Sequence, residues 1–269
     1  ASLSVNAQEL GRQKYLLTTI TDEAGISVLN LLDAYLSPLT YTGVAAYYQR
    51  SSQKLFSADN LNLSHETKLK LIGGVTYNKA FSAGITQIGG TFSWGPFYHF
   101  KLSDKLRVKT GGTISATAAN NNQTRNVNNP VNFDFNTNLN AAAEIKYKLK
   151  LFSKQLTVFG NLDFPFAGVM FVPRGGISYY QLVELADFNH TVHFSSFHNR
   201  QGLYISSAVE IPFKYTTWRF GLGGENVIWK ANDMIFKRNE FKLSIAIKYD
   251  IRRFFGTKNI APENFIRVD

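Results

Sequence analysis

Residues 241–252 read FKLSIAIKYDIR, and this stretch limits what the chain can fold into more than any other. Phe241, Leu243, Ile245, Ile247, Tyr249 and Ile251 alternate with Lys242, Ser244, Ala246, Lys248, Asp250 and Arg252. An extended backbone points successive side chains to opposite sides, so the segment has one wholly apolar face and one charged face. A soluble sandwich strand also alternates. Its polar face rarely carries so many charges while the apolar face continues for the roughly 9–11 tilted residues that cross a bilayer. The pattern predicts a transmembrane β-strand with hydrocarbon outside and a wet lumen inside.

No run in the chain approaches the ~18 uninterrupted apolar residues of a membrane helix. A membrane protein without one must be a closed barrel, because only a helix or an edge-free sheet satisfies every backbone group in lipid. The 13 Tyr and 22 Phe suit the aromatic girdles of such a barrel. The alternation recurs in 133–151, with Phe135, Leu139, Ile145 and Tyr147 opposite Asn136, Asn138, Glu144 and Lys146, and in 156–171, where Val158, Leu162, Phe166 and Met170 share the apolar face. Pro165 inside that run demands a bulge or a rim position, since it cannot donate to the ladder. Further strands are predicted at 15–20, with Asp22 to Gly25 as a break, and at 41–50, 68–77, 84–94, 106–118, 177–185, 203–213 and 218–229. Residues 96–102 are ambiguous between strand and turn, and 120–130 form a polar loop. Val28, Leu31, Leu32 and Tyr35 recur at helical spacing, which predicts a short N-terminal helix or plug-like segment.

The expectation is therefore all-β: one domain over residues 1–269, a transmembrane antiparallel up-and-down β-barrel of about 10–12 strands. Residues 1–7 read either as the remnant of a secretory signal, with Val5, Asn6 and Ala7 as its small-x-small end, or as an ordinary N-terminus. Residues 256–269 read as a C-terminal tail. A large soluble sandwich or lipocalin-like barrel is the alternative, and the long, densely charged strands weigh against it.

Several motifs together resemble a family of outer-membrane β-barrel proteins of Bacteroidetes whose function is unassigned. They are Leu32-Asp33-Ala34-Tyr35-Leu36-Ser37-Pro38-Leu39-Thr40-Tyr41, Asn128-Asn129-Pro130, Gly168-Val169-Met170-Phe171-Val172-Pro173 running into Ser178-Tyr179-Tyr180, and Phe194-Ser195-Ser196-Phe197-His198-Asn199-Arg200-Gln201. They span most of the chain, and Arg174-Gly175-Gly176 departs from the Tyr-Gly of the family. The resemblance implies a single barrel integral to a Gram-negative outer membrane, and it transfers no catalytic residue.

The chain has no cysteine, which excludes disulfides, thiolate metal sites and a Cys nucleophile. Its net charge of +10 is spread over many strands, which favours a lumen or rim over a nucleic-acid surface. Lys146, Lys148, Lys150, Arg219, Lys242, Lys248 and Arg252 are expected to line the lumen, with Glu144, Asp163 and Asp250. Such a surface can line an anion-preferring pore, or its charges can pair across a narrow lumen, with Lys146 and Lys148 beside Asp163. The other candidate is His193-Phe194-Ser195, whose imidazole and hydroxyl share one strand face. This His-x-Ser is similar to that of outer-membrane phospholipases and lipid A deacylases, although Ser196 follows where those continue with Asn. Asn199 and Glu210 are the available orienting groups, and a polar loop is the plainer account. His190, His193 and His198 lack the spacing of a metal site. The functions in view are a small channel or an accessory subunit of an outer-membrane assembly, with an outer-membrane lipid hydrolase as the alternative. The expected partners are outer-membrane lipid or lipopolysaccharide and other outer-membrane proteins or lipoproteins, with no cofactor and no nucleic acid.

Overall fold

The computed structural model describes residues 15–126, 129–151, 154–251 and 265–268. The proposed signal remnant, Arg252 and most of the tail lie outside the described residues. Ten long strands form the wall: β2 (Thr18–Asp33), β3 (Thr40–Leu55), β4 (Leu63–Tyr77), β5 (Gly84–Lys101), β6 (Leu106–Gln123), β7 (Val131–Leu151), β8 (Lys154–Phe171), β10 (Arg200–Pro212), β11 (Thr217–Ala231) and β12 (Met234–Ile251). Each pairs antiparallel with the next in sequence, β8 pairs with β10, and β12 closes the ring onto β2 from Phe236↔Asp33 to Ile251↔Thr18. This is the expected up-and-down barrel, at the lower end of the expected strand count. β9 (Val192–Ser196) joins the end of β8 in the same sheet, and β1 (Tyr15–Leu16) runs parallel to β13 (Phe265–Ile266) in a separate two-stranded sheet.

The outer surface is what a bilayer requires. On β12, Phe241, Leu243 and Ile245 are exposed, while Glu240 and Ala246 on the other face are buried. The ten residue steps from Asn239 to Tyr249, at roughly 3.3 Å per step and the usual tilt of about 40°, give an apolar band of about 25 Å. Its borders are polar side chains on the outer face. Asn239 with Asn226, and Asn30 with Thr42, bond across neighbouring strands at one border; Tyr48 and Tyr249 donate to Asp22 at the other (2.6 and 2.8 Å).

Four sequence expectations change. Residues 28–35 are strand and turn, not helix: Leu29 and Leu31 face inward and are buried, while Val28 faces out. Both faces are apolar here because the inner one enters a packed cluster, so the period of two is hidden and a helical spacing emerges by coincidence. Asp22 to Gly25 does not break the chain but lies inside β2. Residues 177–185 hold a one-turn helix, α1 (Tyr179–Val183), started by Ser178 with Gln181 in a reciprocal capping box. Met170 faces inward rather than outward, because Asn140 pairs with Pro165 but Leu139 with Ala167, leaving Phe166 as the extra residue of a β-bulge. Pro165 thus sits at the irregularity its chemistry demands. The ambiguous residues 96–101 continue β5, and the polar loop begins only after Gln123.

The two barrel ends differ. Both the start of β2 and the end of β12 lie at one end, the terminal end. At the other, the loop end, the β8–β9 connection carries α1.

Candidate functional site

The loop end of the lumen is closed by its own side chains. Leu31, Tyr41, Ile85, Met170, Val227, Trp229, Met234 and Phe236 point inward from the strands, and Leu36 and Val172 fold over them from the connections to make one buried cluster. Trp229 and Phe236, neighbours across β11 and β12, stack with centroids 5.3 Å apart and planes 4° from parallel. A chain this rich in alternation has polar inner faces elsewhere. The apolar inner residues near the ends of several strands therefore build a cap.

One carboxylate is buried in that cap. Asp33, 1% exposed, accepts from Asn132 Nδ2 at both oxygens (3.0 and 2.8 Å), from Asn121 Nδ2 (2.9 Å) and from the backbone N–H of Tyr35 (3.2 Å). Tyr179 on α1 donates to Asn132 Oδ1 (2.9 Å) and accepts from the Phe133 N–H (2.7 Å), which ties the outer loop to the barrel. Tyr35 donates to the Ile177 carbonyl (2.7 Å), and Gln123 donates to the Tyr41 hydroxyl (2.6 Å). Burial pushes the Tyr179 phenol above its ordinary range; burial and the Asp33 charge push Tyr35 up to about 12. Asp33, Tyr35 and Tyr41 come from one sequence motif, Met170 and Tyr179 from another, and the fold brings the two together.

Below the cap runs a cavity of about 250 Å3 whose lining mixes charged side chains with uncharged polar ones and glycines. Glu225 on β11 sits among Lys70 (2.9 Å), Lys242 and Arg238 (3.5 Å), and Glu240 takes Arg238 (2.8 Å) and Lys242 (3.4 Å). A second group centres on Lys109, which bridges Glu66 and Glu144 at 2.8 Å each; Lys68 pairs with Glu66 and Lys146 with Glu144, both at 3.3 Å. Arg219 pairs with Glu210 and lies 3.9 Å over the Phe159 ring. Some pairs lie two residues apart on one strand, as Glu240 does from Arg238 and Lys242, and others, such as Lys70 with Glu225, join strands far apart in sequence; the Lys70 and Lys242 ammonium groups sit over the Tyr47 ring at 5.5 Å.

Of the residues named from sequence, Glu144, Lys146, Arg219 and Lys242 are in these networks, and Asp163 lines the cavity. Asp163 lies opposite Ala142, not beside Lys146 and Lys148, because the ladder sets Lys146 against Phe159. Lys148 is half-buried and Lys150 exposed toward the terminal end. Lys248 and Asp250 lie there too, with Asp250 accepting from Thr19 (2.8 Å) and pairing with Arg267 (3.2 Å). Sequence reasoning missed Arg238 and Glu240, which continue the alternation of Lys242 toward the N-terminus; it also missed Lys68, Lys70, Arg200 and Asp33.

His193 and Ser195 do share the inner face of β9, opposite Met170 and Gly168. Ser195 is 1% exposed, yet its Oγ and the His193 Nε2 are both buried with no hydrogen-bond partner among the described residues. The nearby serine–histidine bond is a different one, Ser196 Oγ with His198 Nδ1 at 2.6 Å. Among the described residues no three His, Asp or Glu side chains gather in a metal-holding arrangement.

The chain matches the family described as "Protein of unknown function (DUF3316)" over residues 2–258. Among curated proteins none matches it in sequence. Among solved structures, the outer membrane protease OmpT of Escherichia coli superposes with a TM-score of 0.50 at 6% identity, covering 88% of this chain and 96% of that one. That likeness shows the outer-membrane β-barrel fold and nothing about chemistry. The transport unit of the autotransporter AIDA-I of Escherichia coli (TM-score 0.43, 11% identity, 92% and 97% covered) and the translocator domain of NalP of Neisseria meningitidis (0.42, 9%, 94% and 94%) are looser likenesses that carry no argument.

Proposed function

The chain belongs to this family of unknown function, so its role has to come from its own wall and lumen, and we propose that it is a non-conducting barrel integral to a Gram-negative outer membrane, as in Bacteroidetes, that serves as an accessory subunit of a larger outer-membrane assembly. The observation that carries this reading is the closed loop end. The cap fills the lumen with packed aromatic and aliphatic side chains, and the charges below it are spent mostly on one another. An open channel needs a continuous wet path, and ions cross a packed apolar layer poorly. The exposed apolar band supports a place in the bilayer, with outer-membrane lipid or lipopolysaccharide around it.

A channel is the competing role, and it fits the charged lumen without the cap. The hydrolase alternative needs the His193 imidazole to take the Ser195 proton, and no hydrogen bond joins them. Capture of the tagged barrel from native membranes under mild detergent recovers a stoichiometric outer-membrane protein or lipoprotein, and the purified barrel is silent in planar bilayers. Steady conductance, or a barrel that comes out alone under every mild detergent, sinks the proposal.

A further inference from the structure

Seven basic side chains line the lumen cavity, and six of them hold a carboxylate. Lys68 pairs with Glu66, Lys146 with Glu144, Arg219 with Glu210, and Lys70, Arg238 and Lys242 with Glu225. The seventh is Arg200, the first residue of β10. It is 5% exposed, and among the described residues its Nε and Nη1 are buried without a hydrogen-bond partner. A guanidinium is always charged, and a charge removed from water with nothing to answer it is strongly disfavoured.

Its position says what could answer it. Arg200 lies against Trp229 on β11, directly beneath the apolar cap, and Tyr204 lies four residues further along β10 on the same inner face. Arg238, whose Nε is also unpartnered among the described residues, reaches the cavity from β12. Donors therefore converge under a hydrophobic roof at the closed end of the cavity. At about 250 Å3 the space is smaller than the roughly 300–1,000 Å3 of drug-sized pockets, so it suits a small molecule.

We propose that the lumen is a binding site for a small oxyanion, a carboxylate or phosphate group held by Arg200 beneath the cap. The anion supplies the missing counter-charge, and Arg238 and Tyr204 border it. This goes beyond the accessory-subunit reading and stands or falls separately, since it needs neither a partner protein nor a silent pore.

Titration calorimetry of the purified full-length barrel in detergent, with sodium acetate and with inorganic phosphate at fixed ionic strength, tests it and separates the two chemistries. Saturable binding of at least one probe is expected, weakened tenfold or more in Arg200→Met and mostly kept in Arg200→Lys. No saturable binding of either probe to the unsubstituted barrel overturns the site, as does binding that Arg200→Met leaves unchanged. A measurement on the unsubstituted protein covers the case in which the variant does not fold. The bound probe must slow phenylglyoxal modification of Arg200, read by peptide mass spectrometry, and an unchanged rate overturns the proposal.

Discussion

The ring of Tyr35 meets that of Tyr179 edge to face, centroids 5.7 Å apart and planes at 76°. Tyr35 belongs to the first turn of the barrel and Tyr179 to α1, so this contact and the Asp33 network between them clamp the long loop onto the lumen. Asp33→Ala removes the acceptor of three side-chain hydrogen bonds from Asn132 and Asn121 and strands their buried amides. Bonds to a charged group are worth roughly 1.5–3 kcal/mol each, with partial relaxation, so a loss of about 2–4 kcal/mol is expected in urea unfolding of the detergent-solubilised barrel. Asp33→Asn, which keeps one acceptor, is expected to lose less. Equal stability of Asp33→Ala and the unsubstituted protein would show that the network is not what holds the cap.

The two tyrosines also set a pH limit on the cap. Their folded phenols titrate above the ordinary 10.0, Tyr35 at about 12. The folded state therefore holds these protons more tightly than the unfolded one, so the contribution is complete below about pH 10 and is lost as pH rises through about 12. A Tyr35 phenolate cannot donate to the Ile177 carbonyl. Limited proteolysis within 172–191 is expected to stay flat to pH 10 and rise steeply above it. In Tyr35→Phe cleavage is faster at neutral pH and the alkaline step is smaller. A steep rise already below pH 9 would refute the assignment.

How much of this was legible in the sequence depends on where each face looks. Where the inside is wet and the outside is lipid, as in β12 and β7, the period of two is plain and the strands can be read directly. Where the inside is the apolar cap, as at Leu29 and Leu31, inner and outer faces look alike and the alternation disappears. The bulge at Phe166 reverses inside and outside partway along β8, which is why Met170 was placed on the wrong face; Pro165 was its only local signal. The charge networks were legible as inward-facing charges but not as networks, because contacts such as Lys70 with Glu225 are set by cross-barrel distance. Arg200 was hidden differently, since it opens β10 directly after the polar run His198-Asn199 and only the closed barrel gives it a burial.

The apolar cap can be opened by substitution. Trp229 and Phe236 stack side by side on the neighbouring strands β11 and β12 and are both nearly fully buried. Trp229→Ala with Phe236→Ala removes two aromatic side chains at about 3–5 kcal/mol each, upper values here because water can fill the gap. Stepwise conductance in planar bilayers is expected from the double variant and not from the unsubstituted barrel. Circular dichroism must show the β-signal retained. A folded double variant that stays silent would mean that the charge networks, not the cap, close the lumen.

Glu225 tests what the charge networks contribute. It faces three cations at once, Lys70, Lys242 and Arg238, and is 6% exposed. Glu225→Gln keeps the shape but leaves Lys70 with no carboxylate partner, while Arg238 and Lys242 keep Glu240. Breaking a buried ion pair from one side costs about 3–5 kcal/mol, because the remaining charge stays buried. Replacing the group as a whole avoids that penalty, since desolvating all the charges nearly cancels their attraction. The triple variant Glu225→Leu, Lys70→Met, Lys242→Met is therefore expected to recover most of the stability lost by Glu225→Gln in urea unfolding followed by tryptophan fluorescence. If the triple variant is the less stable of the two, the network stabilises the barrel outright, and the lumen charges are structural in a stronger sense than mutual compensation.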